Sequence, residues 1–326
     1  MAAAVEENMV IINHKPRVCI SILNWKNTSD TIACVHSLQL ITSVSHQIVV
    51  LDNESTPESL ATLQTVRHIK VISSLVNLGF AGGHNRVVKW ALDQGFDYVW
   101  LLNNDAINQP NCLERLVDYA DGHRESALVS PILLNNTLPH GPQHVISILN
   151  DTRTGSHEYT DVDVARKMQQ DYPNKVIIWG TALLVRLSCI KTLGYLDERL
   201  FAYAEDTDYA LRAISCGFSN AVVFEAYVWH ASPTHPRKPH YYYYTHRNSI
   251  AIAKKHASRL NTLKLIYWNL RLAKKQLLVI GNDTATAHAL KLGIWHGWIN
   301  QSGPFNKEAK HYFFSDALMR FVLYLS

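Results

Sequence analysis

Tyr98-Val99-Trp100-Leu101-Leu102-Asn103-Asn104-Asp105 is an apolar run that ends in two amides and an acid. Five consecutive apolar residues leave no polar side for water, so they predict a strand buried on both faces, as in a parallel sheet covered by helices. The amides and the acid then stand at the carboxyl end of that strand, where open α/β sheets bind ligands. Upstream, residues 18–23, 46–51 and 69–73 read as further strands. Helical patterns at 31–40, with Asp30 as cap, at 60–66 and at 82–94, stopped by Gly95, alternate with them. This β-α-β order predicts a doubly wound, mostly parallel sheet of α/β class.

Beyond the deciding strand, residues 113–120 predict a helix and 127–134 a strand, while 135–174 reads as polar loops with a hairpin. Residues 176–185 look like one strand, 205–216 like a helix closed by Gly217, and 221–224 and 227–230 like two short strands. Ser232-Pro233-Thr234-His235-Pro236 breaks the pattern. Helical periodicity follows at 242–256, 262–280, 284–299 and 309–325. The expected organisation is a flexible leader (1–16), an α/β domain (17–235) and a helical C-terminal extension (236–326).

At 326 residues and 47% hydrophobic composition, the chain can bury a large core without disulfides. Its five cysteines show no Cys-x-x-Cys spacing, which favours a reduced compartment over a zinc site. The net charge of +4 is too small to imply nucleic acid. Its distribution is more informative: Ala226 to Asn282 holds ten Lys and Arg and no acid, a composition suited to a solvated face, a diphosphate or an anionic membrane surface. Residues 1–14 lack a secretory pattern and no run of about 18 apolar residues occurs, so the expected place is the cytoplasm, with at most a peripheral membrane contact.

Four segments carry chemistry. Asp52, Asn53 and Ser55 end the second strand, where a carboxylate can accept the ring N–H of uracil or thymine; an Asx turn would use the same residues. Asn77-Leu78-Gly79-Phe80-Ala81-Gly82-Gly83-His84-Asn85 is a glycine-rich turn opening a helix whose N-terminus favours negative charge. It is not Gly-x-Gly-x-x-Gly and follows the third strand, which argues against an NAD enzyme. Asp105, with Asn103 and Asn104, offers hard oxygen ligands for a divalent cation. Glu205-Asp206-x-Asp208 places three acids in a helix's first turn, more than a dipole match needs, and the dipole there favours the ionised form a base requires.

In order and spacing these segments resemble family-2 glycosyltransferases of the GT-A fold, from about Arg17 to about Arg247. The segment ending Tyr244-Thr245-His246-Arg247-Asn248 resembles bacterial rhamnosyltransferase-like members. The resemblance implies a nucleotide-binding half (17–110), an acceptor half (111–235) and an inverting transfer from a nucleoside diphosphate sugar, a dTDP- or UDP-sugar, with dTDP-rhamnose or a related deoxysugar preferred. It implies Asp206 as base, assisted by Glu205 toward the acceptor. Donor contacts fall to Asn24, Asp52, Asn53, Ser55, Asn77, Gly79, Gly82, Gly83, Asn85, Asn103, Asn104, Asp105 and Arg247. Trp179 and Gly180 line the acceptor side, and Asp105 and His230 hold Mg²⁺ or Mn²⁺. The acceptor is a saccharide, such as a polyprenyl-diphosphate-linked sugar, in bacterial surface polysaccharide or glycolipid assembly. A sugar nucleotidyltransferase would need a glycine-rich loop where Asn24-Trp25-Lys26-Asn27-Thr28 stands, and a non-catalytic saccharide-binding module would not need all four segments together.

Overall fold

The computed structural model describes residues 15–137, 141–150, 155–232 and 237–309. The expected leader at 1–14, the turn at 233–236 and the helix from 310 onward lie outside the described residues. The first half is an alternation of β1 (Arg17–Asn24), α1 (Thr28–Leu38), β2 (Ser45–Asn53), α2 (Pro57–Gln64), β3 (Ile69–Ser74), α3 (Gly79–Asp93) and β4 (Tyr98–Leu102). β5 (Ala106–Asn108), α4 (Cys112–Gly122), β6 (Ser126–Asn135), β7 (Pro142–His144), β8 (Ile146–Leu149), β9 (Ser156–Tyr159) and α5 (Val162–Asp171) follow. Then come β10 (Val176–Ile177), β11 (Ala182–Arg186), α6 (Ile190–Leu193), α7 (Glu205–Ser215) and β12 (Ser219–His230). The chain continues into the helices α8 (Pro239–His256), α9 (Arg259–Ile280) and α10 (Thr284–Ile299).

The main sheet has the order β3-β2-β1-β4-β11-β6-β12-β5, with β7 beside β6. β1 to β4 are parallel neighbours, β11 runs antiparallel between β4 and β6, and β12 is parallel to β6. The apolar run Tyr98–Leu102 is fully buried at the centre, as its composition requires. Val18, Ile20 and Ile22 of β1 pack with Trp100 on one face, and Cys19 of β1 with Leu101 on the other. The sheet is thus covered on both sides.

Several boundaries differ from the sequence reading: residues 221–224 and 227–230 are parts of one strand, β12, with a register shift between Val223 and Tyr227, and α1 starts at Thr28, so Asp30 lies in its first turn instead of capping it. α3 begins at Gly79, so the glycines form its first turns rather than a loop before it. Residues 176–185 split at Trp179-Gly180-Thr181, and only Ala182–Arg186 joins the main sheet. α5 was hidden in the polar stretch; Asp161 caps it by accepting from the Val164 N–H.

Candidate active site

Parallel strands put their carboxyl ends on one edge of the sheet. Asn24 and Asp52 are register partners there, and Asn103 to Asp105 follow β4 on the same edge. β11 runs the other way, so its start brings Trp179 and Gly180 to this edge, with the Thr181 carbonyl accepting from the Asn103 N–H. β12 ends here too, and its pairing with β5 sets His230 opposite Ala106, next to Asp105.

His230 Nε2 lies 3.1 Å from Asp105 Oδ1. Its other ring nitrogen, Nδ1, is 2.7 Å from Gln143 Oε1, and Gln143 Nε2 donates to the Ala231 carbonyl. With the amide oriented that way, Nδ1 carries the proton and Nε2 presents its lone pair beside the carboxylate, the arrangement of a metal-binding histidine held by an outer partner. Adjacent ligands of an octahedral cation bound at about 2.1 Å stand about 3.0 Å apart, so the pair fits Mg²⁺ or Mn²⁺. Asn103 Nδ2 donates to the same Nε2 at 3.1 Å. Among the described residues no group of three or more His, Cys, Asp or Glu is gathered to hold a metal, so the remaining ligands would have to be donor oxygens and water.

The Ala204 carbonyl accepts from the Asp208 N–H as α7 opens. Asp206 Oδ2 accepts from the Gly180 N–H at 2.7 Å and Oδ1 from the Thr207 N–H at 2.6 Å. A Cβ at Gly180 would stand 3.1 Å from that of Asp206, a tight contact that Asp206 would have to relieve by shifting a few tenths of an ångström. Burial raises the Asp206 pKa above the ordinary aspartate value, while the two backbone N–H groups oppose the rise. Glu205 is buried, its Oε2 has no hydrogen-bond partner, and burial followed by the Asp206 charge pushes its pKa well up. Of this adjacent pair, Asp206 is the carboxylate equipped to stay ionised. Asp208 faces the other way. Burial raises its pKa, but bonds from His256 and Lys255 and the Arg212 charge leave it below the usual value.

Asp52 is 1% exposed. Its oxygens accept from Asn24 Nδ2 (2.7 Å), Ser55 Oγ (2.5 Å) and Ser59 Oγ (2.6 Å). A carboxylate offers about four acceptor positions, and these bonds occupy three of them. Asn24, tied also to Thr28 and Thr31, supports Asp52 rather than facing a ligand.

Several expected donor contacts have other partners. Asn53 bridges Asn77 and the Gly79 carbonyl and accepts from the Leu78 N–H. Asn77 accepts from the Gly79 N–H, and the Phe201 carbonyl takes the Ala81 N–H, so the protein itself satisfies these groups at the start of α3. The close approaches at its glycines are to protein: a Cβ at Gly79 would meet the Phe201 carbonyl, one at Gly82 would meet Leu78, and one at Gly83 would meet Leu23. Asn85 clamps the Leu196 backbone and Glu198. Asn104 turns back to Asn27 and Thr31 of the α1 start. Arg247 is 2% exposed, and its guanidinium donates to Asn248, Tyr243 and the carbonyls of Arg199, Leu200 and Gly303. With its donors committed, it is not available to a diphosphate.

Sequence reasoning missed Gln143, Thr207 and His144. The ring of His144 stacks on Trp179 at 4.0 Å, and burial lowers its pKa to about 4, so it stays neutral against that ring. Gln143 and His144 lie in the polar stretch read as loops, and nothing in the local sequence marks their reach across the sheet.

The family model of glycosyl transferase family 2 matches residues 18–194. The chain is 24% identical over 287 residues to the N-acetylglucosaminyl-diphospho-decaprenol L-rhamnosyltransferase of Mycobacterium tuberculosis, covering 80% of this chain and 92% of that protein. It is 22% identical over 195 residues to the dTDP-rhamnosyl transferase RfbF of Shigella flexneri, covering 59% of this chain and 63% of that one. The mannosyltransferase PcManGT from Pyrobaculum calidifontis, solved with GDP-Man and Mn²⁺, superposes with a TM-score of 0.56 at 13% identity, over 96% of this chain and 85% of that one. This last likeness concerns the fold, which is that of GT-A glycosyltransferases.

Proposed function

The chain belongs to glycosyl transferase family 2, and from that premise we propose an inverting transfer of a deoxyhexose, rhamnose in the first instance, from a dTDP- or UDP-linked donor to a saccharide hydroxyl during polysaccharide or glycolipid assembly. The observation that carries it is the convergence of Asp52, the Asp105–His230 pair and Asp206 on one sheet edge. Asp52 receives the ring N–H of the base. Asp105 and His230 would hold the divalent cation, which when bound neutralises charge on the departing diphosphate. Asp206 takes the proton of the acceptor hydroxyl as that oxygen bonds to the anomeric carbon and the bond to the diphosphate oxygen breaks. Trp179, backed by His144, offers a flat apolar surface to the acceptor sugar. The names of the rhamnosyltransferase relatives support the sugar and, for the decaprenol-linked case, a lipid-linked acceptor.

A panel of dTDP-, UDP- and GDP-sugars tests the donor by thermal shift, since a ligand stabilises the state it binds. dTDP- and UDP-sugars are expected to raise Tm, and Asp52→Ala to weaken both about tenfold or more, because both rings present the same N–H. A GDP-sugar preference would remove Asp52 from this role.

A cytoplasmic, membrane-surface location forms part of the same reading. No helix among the described residues is long and apolar enough to cross a membrane. α9 instead buries Ile266, Leu270 and Ala273 while exposing Tyr267, Trp268 and Leu272 between Lys264 and Lys275 and Leu260, Leu263, Leu278 and Val279 on either side of them, and Arg271 lies over Tyr267 and Trp268. Such a surface suits an anionic headgroup layer. Lys254 and Lys255 do not belong to it: Lys254 caps the end of α10 through the Gly297 and Trp298 carbonyls, and Lys255 pairs with Asp197 and Asp208. Ile250 and Ile266 are core residues. Binding to vesicles rich in anionic lipid is expected to fall with salt and to be lost in Lys264→Glu/Arg271→Glu/Lys275→Glu, each reversal costing at least about 1 kcal/mol. Equal sedimentation of both proteins with vesicles would set this surface aside.

A further inference from the structure

The segment that delivers Glu205 and Asp206 is strained. Phe201, Tyr203 and Ala204 all have positive φ, at 64°, 67° and 68°, and none is glycine. Each such residue costs about 1–3 kcal/mol and persists only where its surroundings over-determine it. Ala204 is the residue from which α7 starts, and it has no side chain with which to cap the helix.

The surroundings come from the C-terminal extension. Asn248 of α8 is 0% exposed, and its Nδ2 donates to the carbonyls of Leu200 (3.0 Å), Ala202 (2.8 Å) and Tyr203 (2.6 Å). Three carbonyls converging on one amide require that amide to point its nitrogen at them. Arg247 enforces this orientation, because its Nε donates to Asn248 Oδ1 at 2.8 Å and its Nη2 donates to the Arg199 and Leu200 carbonyls. The Phe201 ring stacks on Tyr244, and the Tyr203 ring meets Tyr241 edge-on. From the opposite side, the Ala81 N–H of α3 takes the Phe201 carbonyl.

We infer that Asn248, oriented by Arg247, is a positioning residue for the reaction: it holds residues 200–204, with Phe201, Tyr203 and Ala204 at positive φ, in the conformation that aims Asp206 at the acceptor. This rests on Asp206 being the base, and it extends that reading by giving the helical extension a part in turnover. Arg247 and Asn248 then act on the proton-transfer side of the site and not on the donor diphosphate.

The test uses the full-length protein. Asn248→Ala is expected to lower kcat about tenfold or more, while the affinity for UDP and dTDP, measured by calorimetry, stays within about twofold. In that background Ala204→Gly should recover kcat several-fold, since glycine adopts φ near +68° without the steric penalty. In an Asp206→Asn background, Asn248→Ala should change the residual rate less than about threefold, because a residue acting through the base has nothing left to position. If Asn248→Ala does not fold, Asn248→Ser, which keeps one donor, is put through the same measurements. An unchanged kcat, a parallel loss of nucleotide affinity, no recovery with Ala204→Gly, or multiplicative effects with Asp206→Asn would each overturn the proposal. Full turnover in Asp206→Asn alone would instead overturn the base assignment, and is read separately.

Discussion

Asp206→Asn is expected to lower turnover by roughly 10²–10⁴-fold, the range for loss of a general base, with fold and donor binding intact. Asparagine is nearly isosteric and its single oxygen can still accept from the Gly180 or Thr207 N–H, so the start of α7 has reason to keep its geometry. What it cannot do is accept the acceptor's proton. The pH profile separates this from a structural defect. A base must be ionised, and burial holds the Asp206 pKa above its ordinary value, so kcat should rise with pH through an acid limb displaced upward from the usual aspartate range. The asparagine variant should lack that limb. The sign for stability is opposite. A carboxyl whose folded pKa is raised gives up protons more readily when unfolded, so its contribution to stability falls as pH climbs from the unfolded toward the folded pKa. Glu205, raised further by burial and by the Asp206 charge, adds to that loss. The variant should therefore lose less stability than the wild type on going from acid to neutral pH. Near-normal turnover would remove Asp206 from the role and turn attention to Glu205.

The fold was legible because its central strands are uniformly apolar. A run such as Tyr98–Leu102 admits few environments, and alternation with helical periods admits few topologies. Chemistry read at strand ends singled out Asp52, Asp105, Asp206 and His230, which the fold gathers on one edge of the sheet. Contacts assigned to Asn53, Asn85 and Arg247 went astray for a common reason. A buried amide or guanidinium that satisfies backbone groups from a distant segment looks, in one dimension, like one waiting for a ligand. Asn85 meets Leu196 from 111 residues away, and Arg247 reaches Arg199 and Gly303. No local pattern encodes such pairings. The same holds for Gln143, which orients His230 from 87 residues away.

Removal of divalent cations is expected to abolish transfer, with Mn²⁺ or Mg²⁺ restoring it. The chain itself offers two candidate ligands, the Asp105 carboxylate and the His230 imidazole, 3.1 Å apart. Asn103 beside them carries no charge, so affinity should depend on the donor's phosphate oxygens completing the shell. Mn²⁺ binding followed by electron paramagnetic resonance should therefore be weak in the free protein and tighten when UDP or dTDP is added. Asp105→Ala should remove that tightening and lower turnover by about 10²–10³-fold, the usual cost of losing a main source of charge stabilisation. His230→Ala should weaken metal binding while retaining the anionic ligand. Gln143→Ala should act in the same direction more mildly, about 10–100-fold in metal affinity, because it frees the imidazole to turn without removing a ligand. This graded order, Asp105 above His230 above Gln143, follows from charge first, ligation second and orientation third. Full activity in chelator would show that the Asp105–His230 pair serves the fold alone, with departing charge neutralised by other groups.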